Sequence, residues 1–402
     1  MRLGIIYHMP FWRSGDGTLH EVEGSFARYV DSLAPHFDEI SLCVPVVSEP
    51  RGEGTPIRAG NVSLAPLPFY DGPVQFYPKL PRVMPRLWRW VHEIDVLHCR
   101  VPTPAAPFAF ACARIARRPA FLLIVGDLHA LLPSMPYRGL KKALWRAYTE
   151  FEEAAIRWMT RSALTFANGE ALARKYDRRS SPVVETRTTT ITAADIWTRA
   201  DTCAGRTIRL LTVSRIDPRK GLRVLPQAIR TLVDRGFDVT LDIVGAPVGS
   251  PGEQEQRELI ADSRRLDVAD RVRCLGSIAL DALLPAYRRY DVFVLPTLPG
   301  EGIPRVLLEA MAAGVPIVTT AVAGIPSLIA HETNGLLMKA STSGEVADAV
   351  GRVIADGDLR RRLIAAGSAT ARRLTLEHQA EVMATRLRSF LDRPLAAAPR
   401  VA

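Results

Sequence analysis

The sequence has few cysteines and no long hydrophobic run, and each shortage excludes a class of protein. Its 402 residues include five cysteines, Cys43, Cys99, Cys112, Cys203 and Cys274. An odd number of scattered cysteines fits neither a disulfide framework nor a zinc site, so we expect reduced thiols. No apolar run approaches the roughly 20 residues that span a bilayer, and the N-terminus is apolar too briefly for a signal peptide. We therefore expect a cytoplasmic protein.

Composition and charge restrict the fold and the partners only broadly. The chain is 48% hydrophobic and 23% charged, which is ordinary for a globular protein and excludes extensive disorder. The net charge of +10 favours an anionic partner, although arginine used as the default surface cation would give the same balance. The basic residues form no continuous stripe and no nucleic-acid-binding module is recognisable, so we expect no nucleic acid as partner.

Short apolar runs alternate with helical stretches through two rounds. The predicted strands are 3–7, 39–44, 95–98, 120–125 and 162–167 in the first round, and 208–213, 239–244, 272–275, 292–295 and 316–319 in the second. Continuous apolar strands separated by helices predict parallel sheets that are covered on both faces. The sequence therefore predicts an α/β fold with two Rossmann-like, doubly wound domains that face each other across a cleft.

The polar stretch 188–207 separates the two rounds. We expect one domain at 1–195, a second at 196–376, and a C-terminal helix at 377–402 that returns toward the first domain. Ligands of open α/β sheets bind outside the carboxyl ends of the strands, so the loops that follow the strands are the places to look for chemistry.

The segment 295–319 reads as a strand, a glycine-rich loop and a helix. The helix is predicted to begin near Pro304 and to end at Gly314, because proline is common in the first turn of a helix and glycine just after its last turn. The loop offers backbone N–H groups and the helix N-terminus adds partial positive charge, which together attract phosphate. Glu301 and Glu309 flank this point and suit sugar hydroxyls on either side of a diphosphate. A solvated Glu301 and an ion-paired Glu309 are the alternative.

The segment 208–222 delivers two cations to the carboxyl end of a buried strand. Arg215 offers a planar fork and Lys220 a compact charge, a pair that suits a diphosphate. Two surface cations at a strand-to-helix turn are the alternative interpretation.

Together these motifs resemble those of the retaining GT-B glycosyltransferases of family 4, the glycosyl transferases group 1. Ser-Arg-Ile-Asp-Pro-Arg-Lys-Gly-Leu at 214–222 resembles the family's GR-x-x-x-x-KG signature, and Glu301 and Glu309 resemble its Glu-x7-Glu motif. Segments within 241–245, 271–278, 284–295, 323–326 and 334–337 also match in order, so the resemblance covers about residues 208–340.

The resemblance implies a role for each of these residues. Arg215 and Lys220 would hold the diphosphate of a nucleotide sugar and stabilise the leaving nucleotide, Glu309 would bind the ribose, and Glu301 would bind the donor sugar. The remaining donor-binding positions implied are Gly302, Ile303 and Pro304 around the sugar and phosphate, and Ser277 and Ile278 at the base. The resemblance implies no cofactor and no metal, since the chain lacks a suitable Asp-x-Asp motif. Uridine is the expected base.

The first half matches the family more loosely. Gly24 stands where the family has a glycine loop that approaches the diphosphate, and His98 ends a segment that looks like the family's D-v-v-H strand. In many members of the family a histidine contacts the donor sugar at this point of the sequence, where this chain has Gly126 and Asp127. We therefore expect Asp127 or His129 to make that contact instead. Asn168 replaces a serine near the cleft. We expect His98, Gly126, His129 and Asn168 near the acceptor or sugar, and Asp127 among the catalytic residues.

These observations predict a metal-independent, retaining hexosyltransferase that moves a sugar from a nucleotide-diphosphate sugar, expected to be a UDP-sugar, to a glycan, lipid-linked or small-molecule acceptor. A phosphorylase or synthase that uses a sugar phosphate, and a non-catalytic nucleotide-sugar-binding subunit, remain alternatives. Segments 78–90 and 139–146 mix cations with tryptophan, which is typical of helices that contact an anionic membrane surface. Surface helices with the tryptophan in the core are the alternative.

Overall fold

The computed structural model describes residues 1–22, 25–48, 54–132, 138–179, 181–299 and 303–392. The chain divides into two compact units, of which the first is Met1–Thr188 with Leu376–Ala402 and the second is Thr189–Thr375. The first boundary follows Thr188 rather than residue 195 as predicted. Ile191 lies in a buried cluster of the second unit, and the N–H of Trp197 donates to the Ala312 carbonyl of the same unit, so this polar stretch already belongs to it.

The first unit is built on a ten-stranded sheet. Its strands are β1 (Arg2–Ile6), β2 (Phe11–Arg13), β3 (Leu19–Glu21), β4 (Glu39–Val46), β5 (Thr55–Pro56), β6 (Val62–Pro68), β7 (Val96–Val101), β8 (Ala120–Ile124), β9 (Leu164–Asn168) and β10 (Val183–Thr186). Parallel pairs join them in the order β6-β4-β1-β7-β8-β9-β10. The β2–β3 and β3–β5 pairs are antiparallel.

Helices cover both faces of this sheet. They are α1 (Ser25–Leu33), α2 (Gly72–Phe76), α3 (Leu80–Glu93), α4 (Ala106–Ile115), α5 (Leu128–Leu131), α6 (Gly139–Met159) and α7 (Glu170–Tyr176). Alternate residues of β8 enter two separate cores, Phe121 and Leu123 in one and Leu122 and Ile124 in the other. Since successive strand residues point to opposite faces, the sheet is buried on both sides, as its continuous apolar strands predict.

Strand β6 is the main departure from the predicted strands. The sequence analysis predicted no strand between 39–44 and 95–98, and two prolines of this region, Pro66 and Pro68, argue against one. The structure pairs β6 with β4 alone, at the edge of the parallel run. Proline lacks the N–H that an inner strand would need, and an edge strand tolerates that loss.

The second unit holds a six-stranded sheet that is parallel throughout. Its strands are β11 (Ile208–Val213), β12 (Val239–Val244), β13 (Val272–Gly276), β14 (Val292–Leu295), β15 (Ile317–Thr320) and β16 (Leu336–Met338). Its helices are α8 (Leu225–Asp234), α9 (Gly249–Arg265), α10 (Leu280–Ala286), α11 (Arg305–Ala312), α12 (Ser343–Ala355) and α13 (Gly357–Arg372). The last helix, α14 (Leu376–Leu391), belongs to the first unit, where Ala380, Met383 and Leu387 are buried.

In both sheets the order of strand addition changes side at an equivalent place, which we call the reversal point. In the second unit the order is β13-β12-β11-β14-β15-β16, so strands are added on one side of β11 and then, starting with β14, on the other. In the first unit the same reversal falls between β1 and β7. Loops that leave the two central strands diverge there and open a crevice, which is where such sheets bind ligands. Among the described helices, none is long and apolar enough to cross a membrane.

Candidate functional site

The loop after β11 is locked against the loop after β14, on the two sides of the reversal point. The N–H of Leu298 donates to the Arg219 carbonyl at 2.8 Å. Gly221 has a φ of +63°, and a Cβ at this position would lie 2.3 Å from the Pro296 carbonyl oxygen. Only glycine combines that backbone conformation with so close an approach. The contact between the two loops therefore requires the glycine of the signature's Lys-Gly pair.

Lys220 is held beside this contact. It ends a short 3-10 helix, Pro218–Lys220, and its side chain is only 7% exposed. The helix is capped by Asp217, which accepts from the N–H of Arg219 at 2.9 Å and pairs with the Arg219 guanidinium through both carboxylate oxygens. The hydrogen bonds from Arg219 lower the pKa of Asp217 to about 2. Asp217 thus engages the Arg219 guanidinium, and Lys220 is the buried cation of this loop.

Arg215 stands exposed at the start of the same loop. In the described ranges, no carboxylate oxygen lies within 4.0 Å of its guanidinium, the distance that defines an ion pair. Gly245 has a φ of +140°, and a Cβ on it would lie 1.9 Å from the Ser214 carbonyl oxygen. This close approach ties the loop of Arg215 to the loop after β12.

The loop after β13 joins the same edge. The N–H of Gly245 donates to the Gly276 carbonyl at 2.8 Å. The next two residues, Ser277 and Ile278, are exposed and half-buried respectively. The carboxyl edge of the sheet therefore carries the loops of Arg215, of Lys220 and of the two residues predicted to contact a base.

Glu309 is a buried carboxylate on α11. It is 4% exposed; its Oε1 accepts from the Thr190 hydroxyl at 2.6 Å and its Oε2 from the Tyr287 hydroxyl at 2.8 Å. Burial and the neighbouring Glu309 carboxylate both raise the pKa of Tyr287, so this phenol stays protonated and donating. Each oxygen of Glu309 keeps a second lone pair for a further donor. The ion-paired alternative for Glu309 is wrong, since its partners are two neutral hydroxyls.

The residues before α11 are described only in part. Ile303 and Pro304 are half-buried and lead directly into the helix. Glu301 and Gly302 lie outside the described residues, as does Gly24 in the first unit. Their predicted roles stay predictions.

Asp127 has a structural place in the first unit. It caps α5 by accepting from the N–H of His129 at 2.9 Å, and it pairs with the ammonium of Lys175 at 2.9 Å. Burial opposes its ionisation, but the Lys175 ammonium and the two cap hydrogen bonds hold the pKa of Asp127 below its usual value. The Nε2 of His129 lies 3.7 Å from a carboxylate oxygen of Glu150, and this contact joins α5 to α6. These bonds engage the Asp127 carboxylate within the protein itself, without a substrate. Its catalytic role remains a prediction.

His98 lies in the core and not at a ligand surface. It is fully buried in β7, its Nε2 lies 2.9 Å from the Tyr29 hydroxyl, and its ring stacks on Phe121. Burial, followed by the charge of Arg100, lowers the pKa of His98 to about 3. The placement of His98 near an acceptor is therefore corrected: its side chain is 0% exposed, bonded to Tyr29 and stacked on Phe121, so its ring cannot meet a sugar.

Gly126 follows β8 and Asn168 is the last residue of the adjacent strand β9, at the carboxyl edge of the first sheet. Gly126 has open space where a side chain would stand. Asn168 accepts from the N–H of Thr188 at 2.9 Å and therefore anchors the end of the first unit. Both residues are half-buried, and both lie at the edge of the sheet where the sequence analysis expected them.

The sequence analysis did not identify the residues that make hydrogen bonds to the predicted site residues and their loops. Thr190 belongs to the polar stretch that was interpreted as a linker, and Tyr287 precedes Glu309 by 22 residues without a recognisable spacing signal. Glu21 was also missed: its buried Oε2 accepts from the N–H groups of Phe26 and Ala27 at 2.8 Å. Two of the first amides of α1, expected beside the diphosphate, are thus occupied by the protein's own carboxylate.

The family match to known proteins falls within the second unit. The family model described as Glycosyl transferases group 1 matches residues 207–356. A phosphatidyl-myo-inositol mannosyltransferase of Mycobacterium leprae is 28% identical over 395 residues, which cover 93% of this chain and 92% of the relative. A GDP-mannose-dependent alpha-(1-6)-phosphatidylinositol monomannoside mannosyltransferase of Mycobacterium tuberculosis is 33% identical over 188 residues, 45% of this chain and 46% of the relative.

Solved structures resemble the whole chain. The crystal structure of Anabaena HepE in complex with UDP is 20% identical in sequence, with a TM-score of 0.68, and the match covers 97% of this chain and 100% of that chain. At this identity the likeness establishes the fold alone. The predicted GT-B fold is confirmed.

Proposed function

We propose that this protein is a retaining hexosyltransferase of the glycosyl transferases group 1, whose family model matches residues 207–356, and that it uses a nucleoside diphosphate sugar. The observation that carries the proposal is the meeting of two loops at the reversal point of the second sheet. One loop carries Arg215 and Lys220, and the other leads to the helix of Glu309. This arrangement supports a donor whose diphosphate is held by the two cations and whose ribose hydroxyls contact the carboxylate.

The cations have the chemistry that departure of a nucleotide requires. Negative charge grows on the diphosphate as the bond to the sugar breaks, and positioned cations stabilise that charge most where water is excluded. Lys220 is almost fully buried and Arg215 is exposed. We assign Lys220 to the developing charge and Arg215 to capture of the donor.

Glu309 is suited to hold the ribose. A carboxylate accepts hydrogen bonds from neighbouring hydroxyls, and Thr190 and Tyr287 orient this one without neutralising it. Glu301 would bind the donor sugar from the same loop, a role that rests on its resemblance to the Glu-x7-Glu motif.

The base and the sugar are proposed from the relatives. The HepE structure contains UDP, whereas the Mycobacterium tuberculosis relative is named as GDP-mannose-dependent. We retain uridine as the proposed base, and guanosine is the second candidate, favoured by that relative. Thermal unfolding in the presence of UDP, GDP and ADP separates them, since a nucleotide at a hundredfold excess over its Kd adds about 2.7 kcal/mol of stability.

Transfer itself is tested by nucleotide release. The protein, incubated with the sugar nucleotide that stabilises it and with candidate acceptors, is expected to release the free nucleotide and form a glycosylated product. Turnover that depends on a sugar phosphate in place of a sugar nucleotide would favour the phosphorylase or synthase. Nucleotide binding without turnover on any acceptor would favour the non-catalytic subunit.

Retention and metal independence need separate measurements. We propose front-face attack, with the leaving phosphate taking the acceptor proton, so the product should keep the anomeric configuration of the donor. The proton coupling constant of the anomeric centre, recorded before mutarotation, decides this point. Turnover in EDTA should stay within twofold of the untreated rate; loss that Mg²⁺ or Mn²⁺ restores would contradict metal independence.

We also propose peripheral contact with an anionic membrane through residues 140–151 of α6. Leu140, Leu144 and Phe151 are 77%, 60% and 44% exposed, and Lys141 and Lys142 stand on the same stretch of helix. A cavity of about 410 Å³ beside them is lined almost wholly by apolar side chains. These side chains are Pro73, Val74, Tyr77, Leu144, Trp145, Tyr148 and Phe151. In α3, by contrast, Trp90 is buried in the core, so the alternative interpretation holds for that residue.

Vesicle sedimentation tests the membrane proposal. The protein should sediment with phosphatidylcholine vesicles that contain phosphatidylglycerol and less with phosphatidylcholine alone. Leu144→Gln should weaken this binding, whereas Ile115→Gln, which changes a residue 69% exposed on α4, should not. Equal binding by both variants would contradict the proposed surface.

A further inference from the structure

The reversal point of the first sheet contains a buried arginine. Arg100 lies in β7, beside β1, and is only 7% exposed. Its guanidinium carbon lies 5.0, 5.4 and 4.9 Å from the ring centres of Tyr7, Phe26 and Tyr29. Aromatic faces attract a cation, but they do not replace the hydrogen bonds that its N–H groups make in water.

Arg100 has no counter-ion of its own in the chain as described. Within those ranges no carboxylate lies within 4.0 Å of its guanidinium, and its Nε and Nη1 are buried without a hydrogen-bond partner. Buried charges in proteins are normally paired and hydrogen-bonded, because removing an ion from water is costly. Arg360 in the second unit shows the usual arrangement: it is equally buried and pairs with Asp201 through two hydrogen bonds.

Three titratable neighbours of Arg100 add no negative charge near pH 7. His8 follows β1, and its Nδ1 lies 3.0 Å from the Thr103 hydroxyl. Burial, followed by the charge of Arg100, lowers the pKa of His8 to about 4, so its ring is neutral near pH 7. His98 and Tyr29, the other titratable neighbours, are also neutral there, since burial lowers the pKa of the first and raises that of the second.

We propose that Arg100 binds an anionic group, a phosphate or a carboxylate, of the acceptor substrate. The guanidinium provides the fork that such groups accept in pairs, and the reversal point is where an α/β sheet binds its ligand. His8 and Thr103 border the site with neutral polar atoms suited to hydroxyls next to the anion. The identification of the ligand as an acceptor rests on the proposed function; the anion site itself does not.

Thermal unfolding of wild type, Arg100→Met, Arg100→Lys and Arg114→Met tests the site. Arg114 is an exposed arginine on α4 and serves as the matched control. Inorganic phosphate, acetate and short-chain phosphatidylglycerol are titrated separately, to distinguish a free phosphate, a carboxylate and a lipid headgroup. UDP is present at saturation to occupy the second unit, and the series is repeated in Lys220→Ala, which is expected not to bind UDP.

At least one anion should stabilise wild type and Arg114→Met, with a Kd at least about tenfold weaker in Arg100→Met and intermediate in Arg100→Lys. Without anion, Arg100→Met should unfold at the wild-type temperature or above, because an uncompensated buried charge has been removed. Equal stabilisation of wild type and Arg100→Met by every anion, or a marked loss of stability in Arg100→Met without anion, would overturn the proposal. Failure of UDP to bind would overturn the proposed donor while leaving the anion titration in Lys220→Ala interpretable.

Discussion

The hydroxyl of Thr190 donates a 2.6 Å hydrogen bond to Oε1 of Glu309, across 119 residues of sequence. Thr190 is the second residue of the second unit, and Glu309 lies on the helix that follows the β14 loop. With Tyr287 on the other oxygen, the carboxylate is oriented from two sides before any ligand arrives. Each carboxylate oxygen that accepts from a neutral donor keeps a second lone pair, which can accept a further hydrogen bond from a substrate.

The Tyr287 hydroxyl should act as a positioning group for the donor. Tyr287→Phe removes one hydrogen bond to Glu309, so we expect KM for the donor to rise about three- to tenfold with kcat within about threefold. Tyr290→Phe is the control, since Tyr290 makes the same kind of 2.8 Å bond to Asp242. Both variants should lose about 1 kcal/mol of stability. Steady-state kinetics that show the same KM change in both would contradict the role of Tyr287.

Lys220 should contribute to turnover far more than its charged neighbour. Lys220→Ala should lower kcat by 10²-fold or more, the effect typical of losing one donor that stabilises developing charge. Arg219→Ala should stay within about threefold, because Asp217 already engages that guanidinium. Initial rates of nucleotide release check this, with thermal unfolding as control for folding. Equal losses in the two variants would assign the effect to the loop rather than to the Lys220 ammonium.

Gly221 should tolerate no side chain. Gly221→Ala adds a Cβ at 2.3 Å from the Pro296 carbonyl oxygen on top of a positive φ, whereas Gly236→Ala meets the φ cost alone, since nothing lies within 4 Å there. We expect Gly236→Ala to cost about 1–2 kcal/mol and Gly221→Ala to cost more and to weaken nucleotide binding by displacing Lys220. Denaturant unfolding and nucleotide titration provide the two measurements. A Gly221→Ala protein with the stability of Gly236→Ala would show that the loops separate freely.

Acid should destabilise the first unit through His98. Its folded pKa of about 3 lies below the ordinary 6.5, so the unfolded chain binds more protons between these values. The free energy of unfolding should therefore fall as pH drops from about 6.5 toward 3, by about 1.4 kcal/mol per pH unit for this one group. His8 adds to the same slope.

His98→Gln isolates that contribution. The slope of unfolding free energy against pH should decrease by up to one proton in this variant, even if the variant is less stable throughout. His92→Gln, which changes an exposed histidine on α3, is the control for the loss of an imidazole, and the slopes of the two variants are compared. An unchanged slope in His98→Gln would mean that His98 is protonated in the folded protein.

Local patterns in the sequence were sufficient to predict the two doubly wound units, and they placed Arg215, Lys220 and Glu309 on the elements where the structure has them. Strand β11 and the pair Lys220-Gly221 are recognisable because a buried strand, a turn and a helix follow one another within a few residues. Strand β6 escaped because its prolines are acceptable only at a sheet edge, and a sequence does not say which strand will be at the edge. His98 was misplaced because a histidine at a strand end resembles a site residue until its burial is known.

The sequence by itself determined the alternation of strands and helices and the order of the motifs, because hydrophobic periodicity and turn chemistry act between near neighbours. Only the tertiary structure decided which groups meet. It brought Thr190 to Glu309, closed the Gly221 loop on Pro296, and buried Arg100 among rings with no described carboxylate beside it. These relationships join segments far apart in the chain, and the packing of whole elements, which no local pattern encodes, sets them.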